Sequence, residues 1–393
     1  MTVLEEAKAL QGEMVGYRRF FHQNAEVGMD IPLGVAFIKA RLEEMGVEPS
    51  DCGKSGVSAL IGGKKAGRTF LLRADIDALP IFEESGLDFR SKTGNMHACG
   101  HDFHISMLLG AARILKNHES EINGRVKLMF QPGEELLQGA GAMIEAGIME
   151  NPSVDAAMMI HVFAGTDHPT GTVLFSNKPA AAYDRFEINV RGKGCHGAMP
   201  DQGVDPLNIM NHIYLALQAL NAREVGPYES VALTIGQMTG GAAANIIPET
   251  AYMTGTLRTV NEELRKTLKE RLTAISQGVA LAFRGEATVL FPAGCPALVP
   301  DEFLNGLILG YTRELLGDGH VIFSEKPSLG MGSEDFSFVT GMAPGTFVCL
   351  SAGAKEEGYR FPLHHPKTTF NESALPIGAA VHANTALRWL ENN

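Results

Sequence analysis

Three short apolar runs that end abruptly in charged or metal-binding side chains constrain the fold of this chain most. In TFLLRADIDALP the run Phe70–Leu72 leads into Arg73, Asp75 and Asp77. In RVKLMFQPGEE the run Val126–Phe130 leads into Gln131 and then Glu134 and Glu135, and DAAMMIHVF ends its run at His161. A continuous apolar run of this length reads as a strand buried on both faces, the pattern of a parallel sheet covered by helices. Sites in such sheets form at the carboxyl ends of the strands. The stretches between the runs read as helices: Met107, Leu108, Leu109, Ala111 and Ala112 after the first, Gly139 to Gly147 after the second. This alternation predicts an α/β fold with a mostly parallel sheet.

Residues 3 to 22 and Pro32 to Met45 have helical spacing before the first run. Around Tyr183 the character changes. RFEINVRG alternates like a half-exposed strand, Pro206 to Ala222 is helical, SVALTIGQM and TAYMTGTLRT alternate again, Asn261 to Phe283 is a long amphipathic helix, and ATVLFPA closes the set. The order β-α-β-β-α-β is that of a ferredoxin-like unit. A smaller α+β domain is therefore expected at 183–295, inserted into a larger domain made of 1–182 and 296–393. After the insert, Phe303–Leu316 and Leu375–Leu390 read as helices and TFVCLSAG as a strand.

With 393 residues, 45% of them hydrophobic, the chain can bury a core of two domains. Its net charge of −12 has no compensating basic cluster, which argues against a nucleic-acid partner. MTVLEEAKALQGEMVGYRRF lacks the regions of a signal peptide, and no apolar run approaches a membrane span. The five cysteines are odd in number and scattered, so a reducing cytoplasm is expected rather than a disulfide framework.

Chemistry concentrates in NMHACGHDFHISMLLGAA, where His97, Cys99, His101 and His104 are potential metal ligands. The following helix would place Cys99 near its N-terminus, where the dipole favours a thiolate. Thiolate, imidazole and carboxylate together suit zinc, manganese or cobalt rather than magnesium or calcium. A closed structural zinc site would want paired cysteines, and none are present. Glu134 and Glu135 could merely begin a helix; beside the other strand ends they offer one metal ligand and one general base. His22, His118, His212, His320 and His382 fall in helical or turn patterns and are assigned no role.

RADIDALP, MHACGHDFHISMLLGAA, FQPGEE, the MMIH strand, GKGCHGAMPDQGVDP, NIIPE, GTLRT, GMGSEDFS and LHHPKTTFNESALPIGAA together resemble the amidohydrolase branch of the aminoacylase/carboxypeptidase family of metallopeptidases. That branch includes hippurate hydrolase, N-acyl-amino-acid deacylases and auxin-conjugate hydrolases. The resemblance spans essentially the whole chain. It implies a metallopeptidase catalytic domain with a ferredoxin-like lid or dimerisation insert, and two divalent ions per subunit, of zinc, manganese, cobalt or nickel. Cys99, His101, Glu135, His161 and His364 would bind them, Cys99 bridging the two. His364 is preferred over His365 because the branch places this ligand two residues before the proline, here Pro366.

Glu134 would be the general base and acid, with Asp75 and Asp102 supporting the metal shell, or purely structural, and His97 and His104 left to packing or support. In the insert, His196 matches a histidine that reaches the active site, commonly from a partner subunit, to stabilise the oxyanion. Asn245 matches a substrate-holding residue. Arg258 fits either capture of a free carboxylate or a sheet-surface salt bridge. Gly332 and Ser333 lie in a loop, Gly330 to Phe336, that resembles a substrate-carboxylate loop. The implied activity is hydrolysis of N-acyl-L-amino acids by a homodimer, with no nucleic-acid or membrane partner; a dipeptidase or carboxypeptidase on the same site, or a silent ligand-binding relative, are the alternatives. Two departures, Cys195 before His196 and Leu136-Leu137-Gln138 after Glu135, are expected to reshape the acyl pocket.

Overall fold

A computed structural model describes residues 1–393. The chain divides into two compact units, one made of Met1–Lys178, Val299–Ser328 and Asp335–Asn393, the other of Pro179–Leu298 and Leu329–Glu334.

The first unit is built on an eight-stranded sheet in the order Pro49–Asp51, Val57–Gly62, Arg125–Gln131, Thr69–Asp75, Ala156–Phe163, Gly345–Ser351, Val173–Phe175 and Val321–Phe323. The four strands from Arg125–Gln131 to Gly345–Ser351 run parallel, and antiparallel pairs join Val57–Gly62 and Val173–Phe175 to them on either side. The mostly parallel sheet predicted from the apolar runs is thus present. Every residue of Thr69–Asp75 and of Gly345–Ser351 is buried, which is why those strands read as continuous rather than alternating. The helix His101–Asn117 is buried around nearly its whole circumference, and the helices Leu375–Asn392 and Gln11–Gln23 pack on it.

Details differ from the sequence reading. The helix expected over residues 3 to 22 breaks at Leu10 into Val3–Ala9 and Gln11–Gln23. The strand carrying His161 continues to Phe163. The three-residue strands Pro49–Asp51, Val173–Phe175 and Val321–Phe323 had no recognisable run of their own.

In the second unit the strands lie in the order Glu286–Cys295, Ala182–Arg191, Thr250–Thr259 and Val231–Gly240, all antiparallel. With the helices Pro206–Arg223 and Glu262–Ala282 this is the ferredoxin-like arrangement. Phe186, Ile188 and Val190 alternate inward from the strand Ala182–Arg191 against Ile213, Leu217 and Leu272 of the helices. Each helix start is capped by an acid or amide side chain: Asp205 accepts from Leu207 and Asn208, and Asn261 from Glu263 and Leu264. Cys195–His196 and Ile246–Ile247 form a separate two-stranded ladder. No helix is long and apolar enough to cross a membrane.

Two helices of the first unit pack with Gly378 of one against the buried Met107 side chain of the other. A Cβ on Gly378 would lie 2.0 Å from the sulfur of buried Met107 and 3.2 Å from Leu350, whereas a Cβ on Gly310, inside the helix Glu302–Leu316, would meet nothing within 4 Å. Gly378→Ala is expected to destabilise the protein by about 1–3 kcal/mol through overpacking. Gly310→Ala should instead stabilise it by about 0.5–1 kcal/mol through helix propensity. Denaturant unfolding of the two variants checks the opposite signs.

Candidate metal centre

Gly100 allows Cys99 and His101 to diverge around a sharp turn. It sits in the left-handed region at φ 88°, and a Cβ there would lie 2.4 Å from the Cγ2 methyl of Val162, so a larger residue would be strained and would have to push that side chain aside. His101 then opens the helix. Its Nδ1 donates to the carbonyl of Asp77 at 2.8 Å, which aims Nε2 at a group of acids: Asp75 Oδ2 at 3.4 Å and Glu134 Oε2 at 4.0 Å.

Asp77 ties this turn to the next strand end. Its two carboxylate oxygens accept the backbone N–H groups of Glu134 at 3.1 Å and Glu135 at 3.2 Å. Sequence reading leaves Asp77 as one polar residue after a strand; its only signal was the two-residue spacing from Asp75. Gly139 closes the same loop, since a Cβ there would lie 1.6 Å from the carbonyl oxygen of Pro132.

Cys99 is the meeting point of three stretches. Its Sγ lies 3.5 Å from His161 Nε2 and 3.3 Å from His364 Nε2, and His364 Nε2 lies 3.4 Å from Glu135 Oε1. His161 is oriented by donating Nδ1–H to the Val162 carbonyl at 2.8 Å. His364 is held in the left-handed region at φ 63° and its N–H donates to the carbonyl of Ala98 at 3.0 Å. Strain of that kind in a residue other than glycine persists only where surrounding contacts hold it, and it collects at functional sites. His365 stacks on Phe361 instead, and its Nδ1 accepts from Lys367 N.

Ligand-type atoms come within 4.8 Å of one another in the sets Cys99, His101 and His161; Cys99, Glu135 and His364; and His101, Glu134 and Glu135. The buried atoms His101 Nε2 and Glu135 Oε1 have no hydrogen-bond partner. Leaving such atoms unsatisfied costs about 1–3 kcal/mol each, so their convergence on one spot fits a cation.

The electrostatics point the same way. Burial, with Glu135, Glu134 and Asp75 adding to it, pushes the Cys99 thiol well above its ordinary value. The helix start expected from the sequence to favour a thiolate is opposed here by burial and by three carboxylates. The imidazole of His101 is opposed by burial but raised to about 10 by Asp75, Asp77 and Glu135. A pocket so rich in negative charge is completed by positive charge, and a cation beside Cys99 would let the thiol ionise.

Asp75 lies beside His101 Nε2 and is paired with buried Arg73 at 2.8 Å. Asp102 is spent elsewhere: Oδ2 accepts from Arg18 Nε at 2.9 Å and lies 2.8 Å from His22 Nδ1, while the other nitrogen of His22 lies 3.1 Å from Glu83. His22 is thus a buried, hydrogen-bonded link. His97 is buried, and burial pushes its imidazole down to about 3.

The remaining expected residues belong to the second unit. His196 is exposed and pairs with Ile246 in the short ladder, and Gly197 donates to the carbonyl of Asn245 at 2.8 Å, so these two stretches are neighbours. Arg258 stacks over Tyr183 and donates Nη1 to Met331 O at 2.9 Å and Ser333 Oγ at 3.0 Å. Its bonds to neutral oxygens, rather than an acid, tie it to the loop of Gly332 and Ser333. Leu136 is exposed beside Glu135, and Leu137 takes a positive φ of 55°.

A large two-unit α/β protein with thiol, imidazole and carboxylate donors at its strand ends has the form of a metal-dependent hydrolase. Residues 71–388 match Peptidase family M20/M25/M40, and the chain belongs to that family. It is 36% identical over 401 residues to N-acetyl-L-cysteine deacetylase of Bacillus subtilis (strain 168), covering 100% of this chain and 93% of that one. With hippurate hydrolase of Campylobacter jejuni the identity is 33% over 397 residues and the coverage 100% of both. The solved structure of a Bacillus subtilis dinuclear metal binding peptidase of the M20 family matches with a TM-score of 0.81 at 31% identity, over 98% of this chain and 100% of that. The resemblance to the amidohydrolase branch, read from the motifs, is borne out, and the chain is a hydrolase of that branch.

Asp77→Asn keeps the side chain's size but sets an amide N–H against one of the two backbone donors. Metal affinity of the folded variant should fall by about 10–100-fold, measured by competition with a chromophoric chelator.

Proposed function

We propose that this chain hydrolyses the amide bond of N-acyl-L-amino acids to a carboxylate and a free amino acid, using two divalent ions held by Cys99, His101, Glu135, His161 and His364. The observation that carries the reading is the convergence of these five side chains on Cys99 and His101, with His101 Nε2 and Glu135 Oε1 left without hydrogen bonds. The relatives named as a deacetylase of N-acetyl-L-cysteine and as a hippurate hydrolase support the substrate class. The mixed donors suit zinc, manganese, cobalt or nickel. Ions bound there would polarise the amide carbonyl and acidify a water molecule.

Glu134 is buried, and its backbone is held by Asp77 so that its carboxylate lies beside His101 without being the nearest acid to it. It would take a proton from the attacking water and return it to the amine as the C–N bond breaks. His196 would donate to the oxyanion that develops on the carbonyl. Arg258, with Gly332, Ser333 and Asn245, would hold the substrate's free carboxylate, the guanidinium being pre-oriented by Ser333 and Met331.

The second unit would serve dimerisation. Val231–Gly240 ends its sheet, carries no charged residue and is exposed along its final stretch, so its backbone edge is open to a second copy. A twofold pairing would bring an exposed His196 to the partner's site. Mixed Glu134→Ala and His196→Ala chains, each inactive, should then regain part of the activity after subunit exchange; confirmed exchange without recovery overturns the shared site.

The main test is a hydrolysis screen of N-acetyl-amino acids, hippurate and dipeptides on metal-reconstituted protein. Chelation should abolish turnover, and Glu134→Gln should lower it by about 10²–10⁴-fold while ions still bind. Turnover that survives both overturns the proposal.

A further inference from the structure

His101 and His104 lie three residues apart on one helix face, and together with Asp75 they bring ligand-type atoms within 4.8 Å of one another. Spacing alone would therefore admit His104 as a metal ligand. We infer that His104 is instead a positioning residue: it is the link through which the buried Arg73–Asp75 pair fixes residue 162 and, through it, the imidazole of His161.

The tautomer of His104 follows from its partners. The backbone N–H of Val162 donates to His104 Nε2 at 2.9 Å. A peptide N–H cannot accept, so Nε2 carries the lone pair and the proton resides on Nδ1. There it is donated to Asp75 Oδ1. Both ring nitrogens are thus engaged, and a cation on either would have to displace a strand N–H or a buried carboxylate.

What the link holds is as clear as what it excludes. Val162 gives its N–H to His104 and its carbonyl to His161 Nδ1–H at 2.8 Å, so one residue is pinned by both histidines. Their rings meet edge to face, with centroids 4.6 Å apart at 70°. Only Nε2 of His161 is then left for Cys99 and a cation. At the far end, Asp75 is not free to turn, because its Oδ2 accepts from Arg73 Nη1 at 2.8 Å. Arg73 is fully buried and is itself fixed by Gln131 Oε1 at 2.9 Å and Asp335 Oδ1 at 3.0 Å. Orientation thus passes from a rigid guanidinium through a carboxylate and an imidazole to a strand residue and then to His161.

The inference rests on the reading of His161 as a metal ligand, and counting ions separates the two. Apo protein is titrated calorimetrically with zinc alone and with manganese alone, for the wild type, His104→Gln and His161→Asn. The wild type should bind two ions. His104→Gln, whose amide oxygen can still accept from Val162, should bind the same number with affinity weakened about 10–100-fold, and His161→Asn should lose one equivalent. Loss of a whole equivalent in His104→Gln would make it a ligand, and wild-type affinity would leave it no positioning role; either overturns the inference. A wild type that binds no ion overturns the metal reading itself. If His104→Gln fails to fold, Asp75→Asn carries the test, with the same stoichiometry and a similarly weakened affinity expected, and unchanged affinity overturning the link.

Discussion

Three hydrogen bonds to one residue, Asp77, set the spacing of the whole centre. Its carbonyl accepts a hydrogen bond from His101 Nδ1–H, and its carboxylate accepts from the N–H groups of both Glu134 and Glu135. Holding two successive N–H groups on one carboxylate leaves the two glutamate side chains to diverge. Glu134 is directed toward His101 and Glu135 toward His364. Two identical side chains, adjacent in sequence, thereby acquire different surroundings, which is what lets a pair of acids divide the work of binding a cation and moving a proton. Burial raises the carboxyl of Asp77, and the two backbone donors are what make a charge there tolerable.

How far the sequence reveals this depends on the range of the interaction concerned. The parallel strands are legible because full burial writes itself as an unbroken apolar run, and the second unit because half-burial writes itself as alternation. Pro49–Asp51 has no such signature: its strand character comes from the backbone of Val57–Gly62 beside it. Cys99, His101 and the paired glutamates stand out as clustered chemistry. Asp77 does not, since nothing local separates it from Asp75, and only the fold shows which carboxylate meets the loop at Glu134. His22 is a similar case, because the partners that make it a buried link lie 80 and 61 positions away. The field around the Cys99 thiol is hidden from the sequence for a related reason. A helix dipole is visible in a sequence, whereas the summed field of three carboxylates from two other stretches is not.

The centre also shows where the fold accepts a local cost. His364, one of the proposed ligands, at φ 63° and Leu137, two residues after Glu135, at φ 55° both have left-handed backbones, and each such backbone is worth on the order of 1–3 kcal/mol of strain. The compensation is close by. His364 N–H is bonded to Ala98, one residue from Cys99, and Leu137 N–H is bonded to the carbonyl of Glu134 at 2.7 Å. Strain and the bond that sustains it therefore sit within a few residues of the side chains they orient.

The division of the chain into units has a consequence for anyone who would cut it. Leu329–Glu334 belongs to the second unit, although the residues on both sides of it belong to the first. A fragment spanning 179–298 would retain all four strands and both long helices of the ferredoxin-like arrangement, yet it would leave behind Met331 and Ser333, the acceptors of Arg258, and the carbonyl of Gly332 that pairs with Ala181 N–H at 3.0 Å. An intact second unit is therefore not a contiguous gene segment. To transplant it, or to shuffle it between relatives, means moving two pieces of chain together, and a recombination point between residues 298 and 329 would separate an arginine from the loop that orients it.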